Sequence, residues 1–513
     1  MAQDIFASRS RLTLQFYHEK HHQEIKQLDL KELLNHINVE PILTSPQGAE
    51  RTPVCIIGAG VAGLYAGMIL KSLGIPFKIL ELSGRVGGRL YTYKNFHSQQ
   101  SFDEDYQYYD VGAMRFPRTP FMKRTFNLVD FINKEKPGRL KWIPYIFKSK
   151  EAFMYYNGVR IKSSDKHLLG SADPFRINLH KPAYISPGYE RLLTPDNLEA
   201  ELWNIMHDLK KNFIGAETQS QIDAAMAKLI HDHDKDSMRS YLTNDPRYKM
   251  PSEVIQLLET FDKSTGWYDR GLVESVCESL AFQWTNDKDT LPDYFCFDKG
   301  SSELALAMEE YVGKIHINFN TRITAISYAD KENPMKGLSV EGIHSNGTVY
   351  RETFSGVICT TPISTLNLID LTGCGINENY AQYSAIRELQ YGPAIKIGIQ
   401  FSRNWWEKLG IVGGQSYTDL PLRTVVYPSY PEKGSKSNVL IASYCWTQDA
   451  ERLGSLIDNE HGKMSPLLES LVLKDLATIH DIPVQDLKDM VLDSYAFDWL
   501  HNPSTQGDYS SSF

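Results

Sequence analysis

Apolar positions in the first fifty residues keep no sustained period. The exception is DLKELLNHI, which predicts a short helix with Asp29 as its N-cap. TSPQGAERTP, over 44–53, reads as a linker. At Val54 the pattern changes. VCII is a short continuous apolar run of the buried-strand type. Helical spacing follows to about Leu73, Gly74 stands where a helix would end, and PFKILE predicts a second strand closing on Glu81. From about 115 to 290 the periodicity is largely helical, clearest in NLEAELWNIMHDLKKNF and SQIDAAMAKLI. Strand patterning returns from about 315 to 400 in IHINFNTRITAISY, SGVICTTPI and AIKIGIQF. Strand, helical block and strand again predict one discontinuous α/β arrangement with insertions, not domains in series.

Composition narrows the classes. A chain of 513 residues with 42% hydrophobic and 23% charged positions is globular and long enough for two or three domains. The 54 basic and 63 acidic residues leave a net charge of −9, which argues against a nucleic-acid partner. Cys55, Cys277, Cys296, Cys359, Cys374 and Cys445 show no C-x-x-C spacing, so neither zinc nor dithiol chemistry is indicated. Cys55 and Cys359 fall in apolar strand-like runs and are expected as small buried thiols. HDHD at 231–234 is not followed by a third ligand at helical spacing, and no metal is expected. The uncharged run 52–70 is broken by GAGVAG and divides into a strand half and a helix half, so no membrane span is expected. No apolar leader segment follows Met1, and the expected location is intracellular and cytoplasmic.

The strongest motif is VCIIGAGVAGLYAGMILKSLGIPFKILE. Gly58, Gly60 and Gly63 form G-x-G-x-x-G between a strand and a helix. Gly58 permits the tight turn, Gly60 lets a pyrophosphate approach the backbone, and Gly63 lets the helix close on the strand. The helix N-terminus then faces the phosphates, which makes Gly58, Gly60, Ala62 and Gly63 the candidate phosphate positions. Glu81 is placed to accept hydrogen bonds from a ribose hydroxyl.

Beyond Glu81, GRVGGR adds the pair Gly87-Gly88 followed by Arg89. This strand–acid–GRVGGR order resembles the FAD-binding half of the flavin-dependent amine oxidases. The resemblance implies FAD as cofactor and a Rossmann-type, glutathione-reductase-like FAD domain with a mixed-sheet substrate domain and a helical insertion. It also implies Glu81 on the adenosine ribose, Arg89 near the pyrophosphate, and Ile323 of RITAIS at the adenine. Arg85 is left open between that site and solvent.

DVGAMRFP is similar to the matching stretch of the L-amino-acid oxidases within that family. An arginine between Met114 and Phe116 must have its charge met by water, a carboxylate or a phosphate. The resemblance implies that Gly112, Ala113, Met114 and Arg115 pass the flavin, with Arg115 binding the substrate α-carboxylate, for which a planar guanidinium is suited. A salt bridge from Arg115 to an acid in the helical block is the alternative. In AIKIGIQF, alternation puts Ile395, Ile397, Ile399 and Phe401 on one face and Ala394, Lys396, Gly398 and Gln400 on the other, where something flat could lie. The resemblance makes Lys396 the holder of a water beside the flavin N5; the pattern alone also suits a solvated face. Tyr444, in VLIASYCW, is implied to bind the same carboxylate as Arg115, although a tyrosine in such a strand is otherwise core. GWYDRGLVESVCESLAFQW (266–284) is expected to help wall the pocket.

The expected organisation is an N-terminal extension (1–50), a first FAD-binding part (51–114), and a mostly helical insertion of the substrate domain (115–290). A second FAD-binding part (291–370) and a substrate-binding region (371–490) follow. AFDWLHNPSTQGDYSSSF resembles the beginning of the family's closing segment, so 491–513 is expected to start a truncated C-terminal FAD-binding segment. The implied activity is oxidation of an L-amino acid with O2 to a 2-oxo acid, ammonia and hydrogen peroxide, with a homodimer as the implied assembly. A monoamine or polyamine oxidase, an amino-acid 2-monooxygenase and a truncated, inactive relative are the alternatives.

Overall fold

The computed structural model describes residues 52–96, 106–165, 171–180, 182–216, 218–262, 264–284, 291–376, 379–430, 437–507 and 509–511. The N-terminal extension, with the helix expected at Asp29, and most of the linker lie outside them. The chain forms two compact units. One contains the described residues up to Gly88 together with Met308–Leu389, the other those of Arg89–Ala307 and Gln390–Phe513.

In the first unit, four parallel strands lie in the order Ile317–Asn318, Phe77–Leu80, Val54–Ile57, Gly356–Cys359. VCII is continuous in apolar character because a central parallel strand is covered on both faces; Cys55 and Ile56 are fully buried. The helix Val61–Ser72 follows the first strand, and its C-cap Leu73 and left-handed Gly74 end it where the sequence predicts. A three-stranded antiparallel sheet, Thr321–Tyr328, Leu338–His344 and Val349–Phe354, contributes Ile323, Ile326, Val340 and Phe354 to a core shared with Cys55, Ile57 and Leu80. Cys55 is the buried thiol expected, but Cys359 is exposed, because it lies at the end of the outermost strand.

In the second unit, a seven-stranded sheet runs Val491–Asp498, Ala394–Phe401, Val439–Trp446, Thr424–Val426, Gln415–Thr418, Phe153–Tyr156, Val159–Lys162. All eight residues of Ala394–Phe401 are buried. Its isoleucine face and Phe401 pack with Trp405, Trp406, Leu473 and Leu476. A separate helical core joins Pro195–Lys210, Gln219–His233, Ser252–Asp262 and Leu272–Phe282 through Leu198, Leu229, Leu258 and Val276.

Three features add to the expected organisation. Within the largely helical segment 115–290, Phe153–Tyr156 and Val159–Lys162 form a hairpin about Asn157-Gly158, a dipeptide suited to a two-residue turn. The first of these strands pairs parallel to Gln415–Thr418. Residues 491–498 are a strand of the seven-stranded sheet, hydrogen-bonded along Ala394–Phe401, and belong to the second unit rather than to the one holding the glycine fingerprint. The first compact unit breaks off at Gly88. Thr92–Tyr93 pairs with Tyr109–Asp110, which draws the chain from Arg89 onward into the second unit.

Candidate active site

In the first unit the fingerprint loop is shaped by what its glycines omit. A Cβ on Gly63 would lie 1.9 Å from the Gly58 carbonyl oxygen, and one on Gly58, whose φ is +101°, would lie 2.9 Å from Thr360 Oγ1. At Gly60, by contrast, a Cβ would meet nothing within 4 Å. No side chain caps the helix that starts at Val61, and no acid lies in its first turn. The N-terminal amides and the positive end of the helix dipole are therefore presented to an anion. Gly87 donates its N–H to the Ala59 carbonyl and bridges Gly60, so the second glycine pair is laid against the first loop.

Glu81 follows the second strand. One carboxylate oxygen accepts the Ala59 N–H (2.7 Å), and the other accepts the Ser83 N–H (2.8 Å) and hydroxyl (2.6 Å). A carboxylate has about four acceptor sites, so Glu81 is oriented and retains capacity for a ribose hydroxyl. The glycines, open helix N-terminus and oriented acid together fit a dinucleotide such as FAD. Ile323 is a core residue of this unit, 8% exposed, just before the bulge in its strand. Arg85 donates to the Val86 carbonyl at 3.3 Å.

The second unit holds Arg89, Gly112, Ala113, Met114, Arg115, Lys396 and Tyr444. The guanidinium of Arg89 lies over the ring of Tyr391, 4.5 Å from its centroid. Gly112 is required where it is: a Cβ there would be 1.8 Å from the Arg89 carbonyl oxygen. Met114 is buried and Ala113 exposed. The segment leading to Arg115 is clamped onto the seven-stranded sheet. Lys396 Nζ donates to the carbonyls of Asp110 (3.0 Å) and Gly112 (2.5 Å), Trp499 Nε1 to that of Val111 (3.2 Å), and the Tyr109 hydroxyl to that of Tyr495 (2.9 Å). Lys396 is 1% exposed, so the solvated-face reading fails. The flat object against this strand's small-residue face is Tyr109, whose ring sits where a Cβ on Gly398 would be.

Asp110 accepts from the Thr92 hydroxyl (2.6 Å) and from the Ser301 N–H and hydroxyl (2.8 and 3.0 Å). Burial pushes its pKa above the usual carboxylate range, opposed by these bonds and by the Lys396 charge. Lys396 and Tyr444 are cross-strand partners, and the ammonium lies 4.5 Å from the Tyr444 ring centroid.

Arg115 lies between the rings of Phe147 and Phe282, 5.0 and 5.5 Å from their centroids. Its Nη1 is buried with no hydrogen-bond partner among the described residues, and no carboxylate there pairs with the guanidinium. Two arginines of the unit that are more deeply buried differ in having carboxylate partners. Arg270 meets Glu274 and Glu278, and Arg423 meets Asp449. The salt-bridge alternative is therefore not what the described residues provide. Burial works against the Arg115 charge, and the phenolic oxygens of Tyr145, Tyr444 and Tyr417 outweigh it, so its pKa is raised.

Sequence reasoning brought Arg115, Tyr444 and Lys396 to one region but missed Tyr145, Phe147, Tyr294 and Tyr417. The available signal was period two: Tyr145 and Phe147 alternate in IPYIF. Phe282 comes from the stretch expected to wall the pocket. Outside this region, His231 and His233 of HDHD meet Asp232 and Asp236, and no described cluster of three His, Cys, Asp or Glu residues could hold a metal. Among the described residues no helix is long and apolar enough to cross a membrane.

This geometry agrees with comparisons to known proteins. The chain is 40% identical over 500 residues to L-amino-acid oxidase 4 of Hebeloma cylindrosporum, covering 91% of this chain and 74% of that protein. It is 24% identical to an L-glutamate oxidase precursor of Streptomyces viridosporus, over 79% of this chain and 71% of the relative. In fold it resembles a putrescine oxidase structure (TM-score 0.61, 18% identity, 90% of this chain and 88% of that one). Residues 61–513 match the family described as flavin containing amine oxidoreductase. With a fingerprint loop, open helix N-terminus and oriented acid in one unit, and a caged arginine in the other, the chain belongs to the flavin-containing amine oxidoreductases.

Proposed function

We propose that this protein is an FAD-dependent L-amino-acid oxidase, converting an L-amino acid, O2 and water to a 2-oxo acid, ammonia and hydrogen peroxide. The observation that carries the reading is Arg115, a guanidinium caged by aromatic rings with a buried donor that no described residue satisfies. A part-buried arginine whose Nη1 is buried in that state calls for an anion. An α-carboxylate supplies one with planar geometry matched to the guanidinium. The Hebeloma and Streptomyces relatives, named as oxidases of L-amino acids and L-glutamate, support the same substrate class.

The chemistry FAD supplies when bound is removal of a hydride from the substrate Cα and delivery of the electrons to O2. The chain's residues hold and orient. The loop 58–63 and Arg89 would receive the pyrophosphate, Glu81 the adenosine ribose, and Ile323 the adenine. Arg115 and Tyr444 would grip the carboxylate, fixing the direction of the Cα–H bond; such positioning contributes several kcal/mol, roughly, to lowering a barrier. Phe147 and Phe282 exclude water from the ion pair and so strengthen it. Lys396 holds the backbone that leads to Arg115.

The test is Arg115→Ala in the holoenzyme. KM for L-amino acids should rise by about a hundredfold or more while the visible flavin absorbance is retained. Unchanged kinetics would sink the assignment. Product analysis by peroxide and 2-oxo acid detection separates this reading from a monooxygenase, which would release an amide and carbon dioxide.

A further inference from the structure

The hydroxyl of Tyr145 is the second buried polar atom beside Arg115 with no hydrogen-bond partner among the described residues. Tyr145 is 9% exposed, and its hydroxyl adjoins the guanidinium closely enough for the two to shift each other's ionisation, without an aligned hydrogen bond between them. The neighbouring phenols are otherwise engaged. Tyr294 donates to the Phe282 carbonyl at 2.8 Å, and Tyr417 donates to Gln415 Oε1 at 3.3 Å. Tyr108 also carries an orphaned hydroxyl, but its charged neighbours are Asp110 and Asp298, not Arg115. Burying a hydroxyl unpaired is unfavourable. Two such donors set side by side, one of them cationic, describe the complement of a single anion with two oxygens.

We propose that Tyr145 donates its hydroxyl hydrogen to the substrate α-carboxylate and is, with Arg115, a binding residue for it. The inference rests on the oxidase reading above. A carboxylate offers about four acceptor sites, so the guanidinium, the Tyr444 hydroxyl and the Tyr145 hydroxyl can be satisfied together. The backbone supports the placement: Tyr145, just past the strand Trp142–Pro144, donates its N–H to the Tyr294 carbonyl at 2.8 Å, which fixes it beside the paired strand Tyr294–Phe297.

The experiment compares wild-type holoenzyme with Tyr145→Phe, which keeps the ring and removes the hydroxyl. L-Phenylalanine and L-leucine are assayed beside their amides, which lack the carboxylate. KM for the acids should rise about tenfold or more, kcat should stay within about threefold, and kcat/KM for the amides should be unchanged. Flavin content should equal wild type and melting temperature should stay close to it, because the variant keeps the ring and its packing. An unchanged KM for the acids, or an equal loss for acids and amides, overturns the proposal while leaving the oxidase reading standing. Wild-type protein that carries flavin yet oxidises no L-amino acid overturns both.

Discussion

The ammonium of Lys396 sits 2.5 Å from the carbonyl oxygen of Gly112, and it reaches the Asp110 carbonyl as well. A buried strand residue thus holds the chain five and three residues before Arg115. Lys396→Met should leave both carbonyls unpaired by the ammonium and lower stability to denaturant by about 3 kcal/mol. KM for L-amino acids should rise in parallel as Arg115 loses its fixed backbone. An unchanged unfolding midpoint with unchanged KM would show that the two contacts contribute nothing.

Gly60 and Gly63 should respond differently to a single methyl. In Gly63→Ala the new Cβ meets the Gly58 carbonyl oxygen at 1.9 Å, so the loop cannot keep its form and flavin should be lost along with stability. In Gly60→Ala the Cβ meets no protein atom within 4 Å. That variant should melt as wild type does without flavin, yet bind FAD about tenfold or more weakly, because the methyl enters the space of the pyrophosphate. Flavin fluorescence titration of both proteins checks the contrast; full affinity in Gly60→Ala would remove the phosphate from that position.

Arg115 should show stability traded for binding. Arg115→Met keeps an apolar stem between Phe147 and Phe282 and removes a buried donor with no described partner. The substrate-free melting temperature should rise, by about 1 kcal/mol of stability, while amino-acid turnover collapses. A fall in melting temperature would mean that the guanidinium is already satisfied.

Acid should act partly through His480. Burial lowers its pKa from 6.5 to about 4, against the opposing bond to the Leu476 carbonyl; Nε2 meets the Tyr427 hydroxyl. The folded state keeps this ring neutral while the unfolded chain takes up a proton below 6.5. Its contribution is therefore full above about 6.5 and is lost as pH falls toward 4, an effect of about 3 kcal/mol. Asp475 opposes it: burial raises its pKa from 3.8 to about 6, so it favours folding as pH falls through that window. Replacing His480 with Gln should accordingly flatten the acid limb of unfolding free energy against pH between 6.5 and 4. An identical slope in the variant would exclude the histidine.

The sequence by itself determined what depends on neighbours along the chain. The glycine fingerprint, the helix ending at Gly74, Glu81 after its strand and the strand Ala394–Phe401 are local, because backbone conformation and burial period repeat over a few residues. An unusual arginine in DVGAMRFP was legible for the same reason. Only the tertiary structure decided what that arginine meets. Tyr145 and Phe147 reach it from one segment, Phe282 and Tyr417 from two others, and Lys396 finds Asp110 across 286 residues. The hairpin Phe153–Lys162, read as part of a helical block, became sheet when a distant strand offered it hydrogen bonds. Residues 491–498 found their place as a sheet strand beside Ala394–Phe401. Pairings of this kind are set by which apolar faces and unsatisfied donors packing brings together, and no local period encodes them.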